Sequence, residues 1–478
     1  MNNTAINPVP VLTFGLIGNL LLSCSSGTGK TERNTSGPNL IYVFADQWRA
    51  EATGYSGNRQ VRTPNLDRLA GESVNFVTAI SNCPVSSPAR ASMMTGQYPL
   101  THGIFFNDKP LGDDRISIAE IYREHGYNTA YIGKWHLNGH PKGESRDEHR
   151  KLPVPSERRQ GFDYWKVLEC THDYNNSLYY DNDNVQHIWQ GYDAEIQTDS
   201  AIAYIRAGKD SPFILFLSWG PPHEPYHTAP DKYRDMYSDW QSILLRPNVP
   251  DSLSERAKKD IAGYYAHIAA LDEYLGKILA AVKESGIEEN TIFVFTSDHG
   301  DMLLSHGLTK KQKPWDESIR VPLLLRYPLK IKKARKVKIP FGTVDIMPTL
   351  LGLSGLPVPD GVEGTDFSDY LLGKNKPDIK STLIMCPVPF HQWSFDNGGK
   401  EYRGVRTERY TFARDLNGPW LLYDNKTDPF QMKNLVNKVD YKKIQNELEV
   451  ELNRLLDKSG DKFMEADYYM KKWNYDYD

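Results

Sequence analysis

Five short patches of the sequence carry residue types able to do chemistry on a small anion. Asp46-Gln47 and Asp298-His299-Gly300 each follow an apolar run and between them supply oxygen donors and one imidazole. Donors of that kind suit a hard divalent cation. Lys134 with His136, and His223 within Pro221-Pro222-His223-Glu224-Pro225, follow two further apolar runs. The fifth patch is Ser86-Ser87-Pro88-Ala89-Arg90, closed by Thr95-Gly96. Ser87 reads as an N-cap and Pro88 as the first residue of a helix over Ala89 to Met94. Residue 86 then faces the positive end of that helix, beside free backbone N–H groups, where developing negative charge is stabilised. Arg90, one turn on, can point back toward residue 86. Taken alone, the patch is equally an ordinary capped helix with a surface arginine.

These residues act together only if the fold gathers them. The apolar runs are Leu40 to Phe44, Thr129 to Ile132, Phe213 to Leu217, Ile292 to Phe295 and Val321 to Leu325. Short, continuous hydrophobic runs of this kind read as strands covered on both faces. Between them, Ile116 to His125 and Tyr264 to Ser285 read as amphipathic helices, the second from Leu271, Leu275, Ile278, Leu279 and Val282. In an open α/β sheet the C-terminal strand ends line one crevice, where ligands bind. Four such ends delivering polar residues to one edge make a site. After Gly373 the pattern changes to short strand-like pieces at 382–385, 403–406, 410–412 and 421–423, then a helix from Tyr441 to Leu456. The expected fold is α/β, a large mixed and mostly parallel sheet sandwiched by helices over 38–373. A smaller C-terminal α+β subdomain over 374–478 carries an antiparallel sheet. Pro153 to Arg159 reads as a surface loop.

Ser86-x-Pro88-x-Arg90 followed by Thr95-Gly96 resembles the signature of the type I sulfatases, of alkaline-phosphatase-like fold, whose first motif residue is oxidised to Cα-formylglycine (3-oxoalanine). Leu40 to Gln47, Thr63 to Asp67, Gly133-Lys134-Trp135-His136, Thr296 to Gly300 and Tyr423 to Leu435 are similar to further family segments, in family order. The resemblance spans about residues 38 to 435. It implies hydrolysis of a sulfate ester: one hydroxyl of the aldehyde hydrate attacks sulfur, and deprotonation of the other expels sulfate and restores the aldehyde. Plain serine would stall as a sulfate ester. A serine at position 86 implies a maturation enzyme able to oxidise it. By the same resemblance Asp46, Gln47, Asp298 and His299, with residue 86, match the family's calcium ligands. Gln47 stands in place of an acidic residue found in many members and His299 in place of the commoner Asn, which leaves magnesium or manganese as lesser alternatives. Lys134, His136, His223 and Lys311 would bind the sulfate oxygens or protonate the leaving alcohol, with Arg90 beside residue 86. His223 and Lys311 are the expected pair at the leaving oxygen. Register selects Lys311, and Lys310 and Lys313 read as solvated surface.

A carbohydrate sulfate ester is the expected substrate. Trp165, His172, Asn175, Asn176, Trp315, His391, Trp393 and Arg403 are candidate loop contacts to sugar, of which His391, Trp393 and Arg403 are taken as substrate-binding. Two rivals stand beside this reading. One is a phosphate or phosphonate ester hydrolase of the same fold, since the two transfers need similar groups. The other is a non-catalytic glycan-binding lipoprotein.

With 478 residues, 39% hydrophobic and 25% charged, the chain can bury a sizeable core and is not disordered. A net charge of −4 argues against a general nucleic-acid binder. Near the start, Val11 to Leu22 is too short to span a bilayer and ends in Leu21-Leu22-Ser23-Cys24 before a polar stretch. That resembles a bacterial lipoprotein signal over 1–23, although Met1 to Pro10 carries no Lys or Arg, with Cys24 lipidated and 24–37 a linker. The expected location is a bacterial membrane surface or periplasm, reached by export and held by a lipid anchor. Gly27 to Thr31 lacks the first glycine and the strand of a phosphate loop and reads as linker. The remaining cysteines, Cys83, Cys170 and Cys386, allow at most one disulfide.

Overall fold

The computed structural model describes residues 37–476. The signal and linker segments read from the sequence lie outside the described residues. Strands of the first part are β1 (Asn39–Asp46), β2 (Val74–Phe76), β3 (Ala79–Ile80), β4 (Asn128–Lys134), β5 (Tyr164–Leu168), β6 (Leu178–Tyr180), β7 (Gln186–Ile188) and β8 (Phe213–Pro222). They continue with β9 (Thr291–Ser297), β10 (Leu323–Arg326), β11 (Arg335–Val337), β12 (Phe341–Gly342), β13 (Ser381–Cys386), β14 (Tyr402–Thr407), β15 (Tyr410–Asp415) and β16 (Gly418–Asp424). Ten of them form one sheet in the order β11-β2-β10-β9-β1-β8-β4-β5-β6-β7. Its centre is parallel: β1 pairs with β8 and β9, and β4 with β8 and β5. β10 runs antiparallel to β9, and β6 and β7 close the far edge antiparallel. β3 and β12 form a separate two-stranded parallel sheet.

Side chains alternate across a strand with period two. On β1, Leu40, Tyr42 and Phe44 enter one core with Phe216, Met93, Met347 and Leu350. Ile41, Val43 and Ala45 enter the other with Leu217, Phe295, Leu271, Leu275 and Ile278. Both faces of β1 are therefore buried, which is why its sequence is continuously apolar. The Ser254–Glu284 helix covers the second face, longer at its start than its apolar spacing predicts. Helices Ser86–Thr95 and Ile346–Ser354 cover the first.

The C-terminal strands β13 to β16 form an antiparallel sheet in chain order. The Lys442–Ser459 helix lays Leu448, Leu452 and Leu456 against Val405, Phe412 and Leu422, and Cys83 and Val85 join that same core. Asn82 ties the two sheets further: its Nδ2 donates to Leu383 O at 2.6 Å and its backbone carbonyl accepts from Met385 N at 2.8 Å. The small sheet thus buttresses the segment that enters the Ser86 helix. Cys83, Cys170 and Cys386 are buried free thiols.

Candidate active site

Ser86 is the first residue of its helix, and every residue from Ser86 to Thr95 is buried. The expected cap at Ser87 is displaced by two residues: Val85 stands at the N-cap, with no side-chain cap, and Ala89 N donates to Val85 O at 2.9 Å. A tertiary partner takes over the capping work, since Ser87 N donates to Asn107 Oδ1 at 3.1 Å. Pro88 then sits in the first turn, where an N–H would be unpaired anyway. The helix ends as expected, at Gly96 with φ 65°.

Four strand ends converge on Ser86. From β1 comes Asp46, whose oxygens lie 3.3 and 3.4 Å from Ser86 Oγ. The register of β1 against β8 slips between Ala45 and Asp46, which lets the chain leave the ladder there. After β9, His299 Nε2 lies 3.0 Å from Ser86 Oγ. His299 Nδ1 faces Gly300 O at 3.0 Å; a carbonyl only accepts, so Nδ1 carries the proton and Nε2 presents its lone pair. Burial pushes this imidazole down to about 4, so it is neutral. From β4, Lys134 donates to Asp46 Oδ2 at 2.6 Å. Gly133 just before it is required: a Cβ there would sit 2.1 Å from Ser218 O of β8. After β8, His223 Nδ1 faces Glu224 O at 2.9 Å, which leaves Nε2 to accept from Lys311 Nζ at 3.1 Å. Lys311 also donates to Ser86 Oγ at 3.1 Å. Burial lowers the pKa of both His223 and Lys311. Lys311 is flanked by Lys310 and Gln312, both at positive φ, and Gln312 N is anchored on Pro84 O at 3.0 Å.

Arg90 does point back as expected. Its guanidinium bridges Asp46 and Asp298, each at 3.1 Å, and donates to Lys134 O at 2.9 Å and Ser218 Oγ at 2.7 Å. Burial alone would raise the Asp46 carboxyl; Lys134, Lys311, His223 and Arg90 outweigh it and hold the group well below the usual carboxylate range.

The donor set fits a hard divalent cation. One ligand atom each from Asp46, Asp298 and His299 lies within 4.8 Å of the others, all buried. Gln47 adjoins them in a left-handed conformation, φ 70°, held by its N–H to Asp298 Oδ1 at 3.0 Å and by Tyr264 Oη donating to its carbonyl at 2.7 Å. Its amide Nε2 donates to Glu224 Oε2 at 2.9 Å and Asp301 Oδ2 at 2.8 Å, which leaves Oε1 a buried acceptor without a hydrogen bond. Two carboxylates and an imidazole lone pair within reach of one another, with a buried and unsatisfied side-chain oxygen on the residue next to Asp46, are donors that a cation would complete.

The remaining expected residues divide. His136 Nε2 meets Asp108 Oδ1 at 3.1 Å, and Asp108 is paired to Arg150 at 2.6 Å. Burial, with Lys134 nearby, pushes His136 down to about 3. His172 is exposed and stacks on the His223 ring, centroids 4.7 Å apart. His391 is exposed beside Arg146 and lines a cavity of about 290 Å³ with Phe106, Asp108, Phe390 and Phe395. Arg403 is not a loop contact: it lies in β14, 0% exposed, paired to Asp461 and bonded to Tyr469 Oη at 3.2 Å. Trp393 is likewise buried, packed with Trp315 and Trp420, and Trp165 is wholly inside the main core. Lys310 is partly solvated, as expected, whereas Lys313 is not. Lys310 pairs with Glu224. Lys313 is 0% exposed, donates to Thr309 O at 2.7 Å, and burial pushes it down to about 7. Sequence reasoning misses Glu224, Asp301, Asp108 and Arg150. The first two adjoin the recognised histidine and glycine patches, and adjacency is the available signal.

The sulfatase family model matches residues 38–356, and the model for the C-terminal part of N-sulphoglucosamine sulphohydrolase matches 305–458. An ulvan-active sulfatase of Formosa agariphila is 44% identical over 99% of this chain and 91% of its own length. An endo-4-O-sulfatase of Bacteroides thetaiotaomicron is 31% identical over 83% of this chain and 88% of its own. A solved structure connected with glycosaminoglycan metabolism by Bacteroides thetaiotaomicron superposes with a TM-score of 0.81 at 29% identity, covering 92% of this chain and 99% of that one.

Proposed function

The chain belongs to the sulfatase family, and on that premise we propose that it hydrolyses the sulfate ester of a sulfated carbohydrate through an oxidised Ser86. The observation that carries this reading is the convergence on Ser86 Oγ of His299, Lys311 and Asp46, all within 3.4 Å, at the N-terminus of a buried helix. Asp46, Gln47, Asp298 and His299, with residue 86, would hold a divalent cation, calcium by the family pattern. When bound, it supplies Lewis-acid polarisation of the sulfate and favours an ionised hydroxyl at residue 86.

The chain's own groups do the rest. Arg90 fixes the two carboxylates in place, and Lys134 adds positive charge where sulfate oxygens must sit. Developing charge met by fixed donors in a buried site is the largest single source of such rate enhancements. Lys311 and His223 form a hydrogen-bonded pair beside Ser86, His223 Nε2 accepting from Lys311 Nζ. That pair is placed to protonate the leaving alcohol oxygen as the bond to sulfur breaks. His136 is oriented by Asp108 through Nε2, and its buried Nδ1 has no partner. An anionic sulfate beside that ring would raise its pKa from the low value set by burial, toward a doubly protonated ring whose Nδ1 can donate to the substrate. The exposed His391 and His172 reach toward sugar at the rim, and the names of the relatives support a sulfated glycan. Export with a lipid anchor at Cys24, and a maturation enzyme that oxidises serine, complete the proposal.

The test is peptide mass spectrometry across residues 81 to 97 on protein from its native host, with sulfate release from glycans assayed beside it. Loss of two hydrogens at Ser86, about 2 Da, together with turnover is the expected result. Unmodified Ser86 in fully active protein overturns it in favour of a serine-nucleophile ester hydrolase, tested on phosphate and phosphonate esters. Unmodified and inactive protein favours a glycan-binding role.

A further inference from the structure

Gln47 is the odd member of the cation site: a neutral amide, able to present either a carbonyl oxygen or an N–H₂ group to a metal. Nothing in an isolated glutamine chooses between the two. Here the choice is made by two carboxylates reached from distant parts of the chain. Both N–H bonds of Nε2 are taken, one by Glu224 Oε2 at 2.9 Å and one by Asp301 Oδ2 at 2.8 Å. A flipped amide would bring its carbonyl oxygen against those same two carboxylates.

We propose that Asp301 and Glu224 are positioning residues for Gln47, locking its amide so that Oε1 faces the cation held by Asp46, Asp298 and His299. The inference rests on the metal reading above and deepens it.

The two carboxylates are themselves fixed. Asp301 is 0% exposed; its Oδ1 accepts from Leu303 N at 3.0 Å, and Tyr226 Oη donates to its Oδ2. Glu224 is paired with Lys310 and lies 3.3 Å from His223 Nδ1. Glu224 therefore links the metal ligand at 47 to the proton-bearing pair at 223 and 311. The negative charge that an acidic residue at 47 would bring is already present beside it. Glutamate at 47 would set three carboxylates together, while glutamine turns the same pair into hydrogen-bond acceptors.

The experiment is calcium titration of the full chain by isothermal calorimetry after chelator removal, with near-UV circular dichroism to check packing. In Asp301→Asn the Oδ1 stays on Leu303 N–H, so the new N–H₂ faces Gln47 and drives its amide to flip. Calcium binding should weaken on the order of 10- to 100-fold, the usual cost of removing an outer partner of a metal ligand. Gln47→Glu alone should also bind calcium more weakly than the unaltered chain, despite its added charge. Gln47→Glu combined with Asp301→Asn should recover most of the loss, because the introduced asparagine amide can donate to the new carboxylate. The proposal is overturned if Asp301→Asn leaves the calcium affinity unchanged, or if Gln47→Glu alone binds calcium more tightly. Should Asp301→Asn lose its native spectrum, Glu224→Ala decides in the same way, its side chain being partly exposed. An unaltered chain that takes up neither calcium nor magnesium sinks the metal reading itself, and this inference with it.

Discussion

Arg90 and Arg403 are each 0% exposed, and each pairs with buried carboxylate, yet they sit in regions built for different ends. Around Arg403 the polar groups saturate one another. Asp461 also accepts from Phe463 N at 2.8 Å and Tyr469 Oη at 2.9 Å, and Arg403 itself donates to Tyr402 O at 3.0 Å. Around Arg90 the pairing is left open. Asp46 and Asp298 keep oxygens facing His299 Nε2 at 3.5 and 3.6 Å, Gln47 Oε1 has no donor, and Ser86 Oγ is surrounded without being consumed. Burial and ion pairing are common to both regions. Buried groups without a hydrogen bond occur in the scaffold too, Tyr402 Oη among them; what separates the site is that carboxylate oxygens and an imidazole nitrogen gather around one hydroxyl, Ser86 Oγ.

The comparison breaks most severely at Lys311. Lys311→Ala removes the cation that touches both Ser86 and His223, and turnover should fall by about 10²- to 10⁴-fold, the usual range for a lost proton donor. Its thermal midpoint should stay near that of the unaltered chain, because burial lowers the Lys311 pKa and the fold gives up little with it. A Lys311→Ala chain that unfolds readily but turns over normally once folded would put Lys311 on the scaffold side.

Exchanging the two arginines sharpens the contrast. Arg403→Ala strands Asp461 in the interior, which should cost about 3–5 kcal/mol of stability. Turnover per folded molecule should be unchanged, measured by denaturant midpoints beside kcat. Arg90→Ala strands Asp46 and Asp298 and should cost stability as well, but here kcat per folded molecule should also fall, by about 10²- to 10³-fold. Comparable losses of kcat in both variants would mean that the C-terminal sheet reaches the chemistry.

How much of this is legible in the sequence follows the same division. Asp46, Lys134, His223, Asp298 and His299 each follow an apolar run, and a strand covered on both faces delivers its next polar residue to the sheet edge whatever lies elsewhere. Local pattern suffices for them and for the mostly parallel fold. Arg403 is misread because its partner Asp461 comes 58 residues later; an arginine in a strand reads as a surface residue until its counter-charge is seen. Glu224 and Asp301 are missed for the same reason, lying 177 and 254 residues from the glutamine they hold. The two-residue error at the Ser86 helix is of this kind as well, because Asn107, not a local cap, receives Ser87 N. Residues whose place is set by strand ends can be read singly. Those set by a distant partner cannot.

The smallest effect is expected where the two regions meet within one short turn, His391–Trp393. Trp393 points inward against Trp315 and Trp420, whereas His391, two residues earlier, is exposed with φ 48° and shares its rim with Arg146. His391→Ala therefore gives up surface contact and little packing, and its stability should stay within about 0.5 kcal/mol of the unaltered chain. If His391 contacts sugar in the bound substrate and in the transition state alike, KM should rise several-fold with kcat unmoved, the mark of lost uniform binding. Steady-state kinetics on a sulfated oligosaccharide and on a small aryl sulfate separate the outcomes. A KM that rises only for the oligosaccharide sets His391 on the substrate rim, while no change for either takes His391 out of sugar recognition.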